Sequence, residues 1–284
     1  MKRHIFVEDA IDSHVHYWDP GRGDYGWLTP ALEPLYRVFG PTDLAPLREA
    51  AGITRTVLVQ AAPTVDETHY LLDLARVDNA IAGIVGWVPM LQEDAPDLIA
   101  KLASNSKFKG VRPMLHDLPD DQWIANPDLR PAVEALIEHD LSFDALIFHR
   151  HAPAVEAFAK RFPELRIVID HGGKPPIREG ASGWQGWADA IERLAALPNV
   201  HTKLSGLATE ADAGWDSSTF ERYVLHLLKT FGPERIMWGS DWPVLTINGD
   251  YARWLDSAQT LLGSLTATHK NRIFKLNAVE FYRL

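Results

Sequence analysis

Short β-branched or apolar runs alternate with longer stretches of helical periodicity along this chain, and the alternation repeats eight times. The runs predict strands at AIDSHV (10–15), TVLVQA (56–61), IAGIVGWV (81–88), GVRPML (110–115), SFDALIF (142–148), RIVID (166–170), VHTKLS (200–205) and RIMWGS (235–240). Several are apolar on both faces, as parallel strands covered by helices are, whereas half-exposed antiparallel strands alternate. Between them THYLLDLARV, APDLIAKLA, RPAVEALIEH, APAVEAFAKRF, WADAIERLAAL and FERYVLHLLKTF place apolar residues at three- and four-residue steps. Eight strand–helix units in 284 residues have the size and rhythm of an α/β fold of the (β/α)8 TIM-barrel type. An open nucleotide-binding sheet is the main competitor, but it needs a glycine-rich turn after its first strand, and here that strand runs into HVHYWDP. The one glycine cluster, GASGWQG at 180–186, reads as a mobile loop. No linker or shift in composition interrupts the pattern, so residues 1–284 read as one domain.

A net charge of -10 argues against a nucleic-acid partner, which would require a concentrated basic face. With no cysteine, a disulfide, a thiolate zinc site and a cysteine nucleophile are all excluded, and any metal must use N and O ligands. The charged opening MKRHIFV leads into Glu8 and Asp9 rather than a signal core, and the longest apolar stretch, 81–88, is far below the roughly 20 residues that span a bilayer. A cytoplasmic protein with no membrane partner is expected. A homo-oligomer is compatible with the sequence, which shows no interface.

In a barrel, chemistry collects at the C-terminal ends of the strands. The first strand ends in Asp12, His14 and His16. Residues at i and i+2 of a strand point the same way, so both imidazoles can reach one point in the barrel mouth, as a metal clamp needs. The plainer alternative is that they bond backbone carbonyls. The sixth strand ends in DHGGKP and the eighth in GSDWP, which bring His171, Lys174 and Asp241 toward the same mouth. Three histidines and an aspartate make a donor set suited to Zn²⁺ or a similar divalent ion, although Asp241 alone could be a helix cap. The segment 17–43, rich in aromatic residues and glycine, would lie over this site.

HVH, DHGGKP and GSDWP, in that order over the whole chain, resemble the amidohydrolase superfamily, and its sugar-acid and pyrone-dicarboxylate lactonase branch in particular; DYGWLTP and LVQA fit that branch too. The resemblance implies a (β/α)8 hydrolase that opens a lactone ring with water. By it, Asp241 is the general base, and His14, His16 and His171 polarise the carbonyl directly or through one divalent metal, zinc before others. Some members work without a metal. The implied substrate is an aldonolactone related to L-fucose, L-rhamnose or L-galactose.

Binuclear relatives bridge their metals with a carboxylated lysine or a glutamate on strand four, where this chain has Arg112. A guanidinium cannot bridge cations, so at most one metal is expected, and Arg112 either binds substrate oxygens or pairs with a neighbouring acid. FHRH after strand five departs from the branch, leaving substrate contact, metal ligation and helix capping open for His149 and His151. Lys174 is a further candidate for substrate oxygens, as are Trp27 and Trp242 for a wall against a sugar ring. His4, His69, His139, His226 and His269 read as solvated, while His116 and His201 are unassigned. No GxSxG elbow surrounds Ser205, which argues against a serine hydrolase. Two alternatives accompany the lactonase: a metal-dependent decarboxylase of an aromatic or muconate-like acid, and a non-catalytic sugar-binding barrel.

Overall fold

The structure, a computed structural model, describes residues 7–284. Eight parallel strands form one sheet in sequence order: β1 (Ala10–Val15), β2 (Ile53–Val59), β3 (Ile81–Gly86), β4 (Phe108–Val111), β5 (Ser142–Ala145), β6 (Arg166–Ile169), β7 (Val200–Leu204) and β8 (Ile236–Trp238). β8 returns to β1 through a parallel bridge between Val15 and Trp242, with His16 N–H donating to Trp242 O at 2.8 Å and Asp241 N–H to His14 O at 2.9 Å. The sheet is therefore a (β/α)8 barrel, closed by the backbone that carries the suspected site.

The strands stop earlier than several apolar runs suggest. β3 ends at Gly86 and β4 at Val111 because Pro89 and Pro113 follow, and a proline cannot donate to a ladder. Residues past those points leave the sheet and build the mouth. Alternate strand residues face inward: Ile11, Val57, Val59, Val85, Val168 and Met237 pack with Ala278, Phe281 and Tyr282, which plug the barrel.

Around the barrel run α1 (Pro41–Ala51), α2 (Val65–Val77), α3 (Ala95–Ala103), α4 (Arg130–Glu138), α5 (Ala152–Arg161), α6 (Ala181–Ala195), the short α7 (Leu207–Glu210), α8 (Ser217–Phe231) and α9 (Tyr251–Leu261). The chain ends in α10 (Ala267–Asn271) and α11 (Asn277–Tyr282), the latter supplying the plug. Two expectations are corrected. GASGWQG is the opening of α6 rather than a mobile loop, because Gly183 packs directly against Pro176 and Trp187 sits fully buried. His226 is buried on α8, its ring against Trp184 and Trp187 and its Nε2 3.2 Å from Ala188 O. His4 lies outside the described residues. His201 meets the Phe281 ring at a tilt beside the plug, where burial lowers its pKa to about 4.

The 17–43 segment is tied down at its base. Trp18 and Phe39 exchange backbone hydrogen bonds of 3.0 Å each, and Trp18 Nε1–H donates to Leu35 O and Arg37 O. Trp18 also meets Trp27 and Phe39 edge-on, so the loop is packed by its own aromatic rings. No helix among the described residues is long and apolar enough to cross a membrane.

Candidate active site

At the mouth, His14 and Asp241 are buried side chains from opposite edges of the β1–β8 seam, and His16 and His171 close the group. The two imidazoles of HVH do point the same way: His14 Nε2 and His16 Nε2 are 3.1 Å apart. Asp241 Oδ1 faces three ring nitrogens, His16 Nε2 at 3.3 Å, His14 Nε2 at 3.7 Å and His171 Nε2 at 3.9 Å. That oxygen is buried and carries no hydrogen bond among the described residues. Burial would raise the Asp241 pKa, but the neighbouring His171 and His16 rings outweigh it and hold the group below the usual carboxylate range. At neutral pH Asp241 is an ionised proton acceptor at the cavity floor.

The local backbone is bent to make this convergence. His171, Lys174 and Asp241 all adopt positive φ, at 55°, 49° and 60°, a region L-residues enter only when their surroundings impose it. Two close approaches need glycine. A Cβ on Gly206 would stand 2.5 Å from the His171 ring, and one on Gly239 would stand 2.7 Å from His14 Cβ. Asp12 locks the seam from below: its Oδ1 accepts from Ser240 N–H at 2.8 Å and His14 N–H at 3.2 Å, and its Oδ2 from Tyr251 OH at 2.9 Å.

Behind the histidines lies a buried charge network. Lys203, fully buried on β7, puts Nζ 2.6 Å from Asp144 Oδ2, 3.0 Å from Asp170 Oδ1 and 3.0 Å from His14 Nδ1. Arg112 reaches the other oxygen of Asp170 at 3.5 Å, and Tyr282 OH donates to Asp144 at 2.7 Å. Despite its burial, Asp170 is held well below the usual carboxylate range by Lys203 and His14. These contacts set ring tautomers. The Lys203 ammonium can only donate, so His14 Nδ1 accepts and Nε2 carries the proton toward His16 Nε2. His16 in turn gives its Nδ1 proton to Val59 O at 2.8 Å. Burial first, and Lys203 next, keep His14 well below its ordinary pKa. His171 is likewise kept neutral by burial, with Nδ1 held 2.8 Å from Ser205 Oγ.

His14, His171 and Asp241 offer donor atoms that all lie within 4.8 Å of one another, which fits one divalent ion. The unpartnered Asp241 oxygen suits such an ion. For His14 Nε2 to face it, the ring proton must move to Nδ1, where Asp170 Oδ1 at 3.4 Å can accept it. His149 stands apart from this group, its ring against Gly186 of α6.

Above the floor is a cavity of about 210 Å³ whose walls include Trp27, Arg112, Met114, His116, Lys174 and Val244. Trp27 is fixed there by donating Nε1–H to Ala61 O at 2.8 Å. Arg112 is tethered to Gln60 through its backbone oxygen and, at 3.0 Å, its side-chain oxygen, while Arg112 Nε has no partner. Lys174 pairs with Glu210. His151 does not reach the cavity. It caps its own turn through Phe148 N–H at 3.1 Å and meets Asp121 at 2.9 Å. Trp242 is buried against Tyr17 and Phe39 and forms no cavity wall.

Sequence reasoning missed several members. His116 lines the cavity with its Nδ1 unpartnered, and burial, reinforced by Lys174 and Arg112, lowers its pKa to about 3. Lys203 and Asp144 carried a readable signal, since a charged residue inside an apolar strand must find a buried partner. Glu67 on α2 also had a role: its carboxylate accepts from Ala61 N–H and Ala62 N–H at 2.9–3.0 Å and so holds the loop that anchors Trp27.

The amidohydrolase family profile matches residues 11–284. The chain belongs to the amidohydrolase family. Among its relatives, an L-fucono-1,5-lactonase of Burkholderia ambifaria is 48% identical over 96% of this chain and 95% of its own length. An L-fucono-1,5-lactonase of Burkholderia multivorans is 35% identical over 96% of both chains. A crystal structure of a Burkholderia multivorans amidohydrolase with bound zinc superposes with a TM-score of 0.92 at 33% identity, covering 97% of this chain and 99% of that one.

Proposed function

We propose that this amidohydrolase opens a neutral sugar-acid lactone with water, L-fucono-1,5-lactone being the first substrate to test. The carrying observation is the convergence of three imidazole nitrogens on the one unpartnered oxygen of Asp241, at 3.3, 3.7 and 3.9 Å, at the floor of a polar cavity. The lactonases that are 48% and 35% identical support the same chemistry over decarboxylation and over binding alone.

The wall chemistry supports a neutral polyhydroxy ligand. Both cavity cations already have acidic partners, Arg112 in Asp170 and Lys174 in Glu210, so a dicarboxylate would meet little unbalanced positive charge. Their remaining donors suit hydroxyl and carbonyl oxygens, and Trp27, Met114 and Val244 suit the apolar face of a ring.

Asp241 takes a proton from water as the water oxygen bonds to the lactone carbonyl carbon, and the carbonyl electrons move onto oxygen. The oxyanion is stabilised by donors already in place, with Arg112 and Lys174 on the wall above the floor. Collapse of the adduct breaks the bond to the ring oxygen, which takes the proton back from Asp241. The acid released then ionises. A divalent ion held by His14, His171 and Asp241, when bound, supplies Lewis-acid polarisation at that position.

The test is a pH-indicator assay with L-fucono-1,5-lactone and a panel of related aldonolactones against the spontaneous buffer rate. Asp241→Asn should lower kcat by about 10²-fold or more while the fold is retained. Acid release from no lactone above background, or full activity in the variant, refutes the reading.

A further inference from the structure

A second, larger cavity of about 520 Å³ adjoins the polar one, and nothing in the hydrolytic chemistry uses it. Trp27, Met114 and Asp117 line both, so the two lie side by side against the same side chains. Past that wall the sides are Trp87, Met90, Leu91, Leu118 and Trp123, on the loops that follow β3 and β4. Among the described residues Asp117 is the only charged one lining it, and Gln92 the only amide. A sugar hydroxyl placed there would surrender its water partners for few replacements, which is unfavourable, whereas a hydrocarbon group would gain.

We infer that this cavity is a subsite for an apolar exocyclic chain on the lactone, so that the substrate class includes δ-lactones bearing alkyl or aryl substituents as well as sugar lactones. The inference rests on the lactonase reading and extends it. Geometry sets the direction. The reacting carbonyl belongs beside Asp241 and the histidines on the β1, β6 and β8 side. A substituent on the far side of the ring then points across Trp27 and Met114 toward β3 and β4. A methyl group fills a small fraction of 520 Å³, so the cavity can take a chain of several carbons.

The experiment compares kcat/KM for L-fucono-1,5-lactone and for δ-lactones with methyl, propyl and pentyl chains on the carbon bearing the ring oxygen. Full burial is worth about fourfold per methylene, so the pentyl compound should exceed the methyl compound by at least about tenfold even at half that gain. Within each of Leu91→Gln and Leu118→Gln, the pentyl-to-methyl ratio should fall toward one, an internal comparison that partial loss of folded protein does not move. Binding is read separately as a saturable change in tryptophan fluorescence when the pentyl lactone is titrated into Asp241→Asn, since Trp27, Trp87 and Trp123 line the cavity. A flat or falling chain-length series alongside turnover of the sugar lactone overturns the subsite and leaves the lactonase reading standing. Turnover of neither class refutes that reading, and the subsite with it. No saturable fluorescence change, or an unaltered ratio in the variants, also overturns the subsite.

Discussion

Replacing Lys203 by methionine isolates what the buried network contributes. Lys203 and Arg112 carry two positive charges against the two negative charges of Asp144 and Asp170, all buried, so the cluster is neutral only with the lysine present. Without it, Asp144 keeps Tyr282 OH at 2.7 Å and Asp170 keeps Arg112 at 3.5 Å and the neutral His14 ring at 3.4 Å, so one uncompensated negative charge is left inside the barrel. Removing one partner of a buried pair typically destabilises by about 3–5 kcal/mol, a large share of the roughly 5–15 kcal/mol that holds a protein folded. Lys203→Met should therefore lose about 3–5 kcal/mol in urea unfolding followed by tryptophan fluorescence. Asp144→Asn should also destabilise, by leaving a positive charge in excess. The double variant restores neutrality and should be at least about 2 kcal/mol more stable than the sum of the two losses predicts. If Lys203→Met lies within about 1 kcal/mol of the parent, or the losses simply add, the network is not the coupled unit that its distances describe.

Three further outcomes follow from the same geometry. Gly206→Ala should lower kcat by about 10²-fold with an unchanged circular dichroism spectrum, because a Cβ 2.5 Å from the His171 ring displaces that imidazole; near-parental kcat would show that the ring's position is not critical. Glu67, raised by burial from 4.5 to about 7, binds its proton more tightly folded than unfolded, so its contribution is complete below pH 4.5 and is lost as pH rises through about 7. That is a loss of roughly 3 kcal/mol across the window, and Glu67→Gln should flatten this part of the stability–pH curve; an equal slope in the variant refutes it. Equilibrium dialysis against zinc should give at most one ion per chain, with weaker binding in His14→Ala, and a reproducible two ions per chain would contradict the site.

The barrel was legible because each strand needs both faces apolar and each helix one, and those two periods survive in the bare sequence. Strand ends were not, because what stops β3 and β4 is a proline two or three residues beyond the last paired residue, a local effect overlaid on an apolar run that continues. GASGWQG misled for a related reason. Glycine lowers helix propensity, but packing of Gly183 and Trp187 outweighs it. At the site, the histidines and Asp241 could be placed because period two and strand-end position determine where they point. His149 and His151 could not, since their directions depend on a turn closed by Phe148 and on a partner, Asp121, far off in sequence.

Arg112 was the sequence's reason to expect at most one metal, and the structure extends that reason to a second cation. A further divalent ion beside Asp170 would have to share its carboxylate with Lys203 at 3.0 Å and Arg112 at 3.5 Å. Two like charges that close in a low-dielectric interior repel by several kcal/mol, about 4 kcal/mol at 4 Å for unit charges and more for a divalent ion. Those side chains also give back what a second ion would have provided. Lys203 orients His14 from behind and, with a smaller share from Arg112, keeps Asp170 ionised, and neither cation has to be acquired from solution. The charge that binuclear chemistry draws from an exchangeable ion is here part of the covalent chain, which leaves Asp241 Oδ1 with a single position to fill, by one ion or, in the proposed mechanism, by the attacking water.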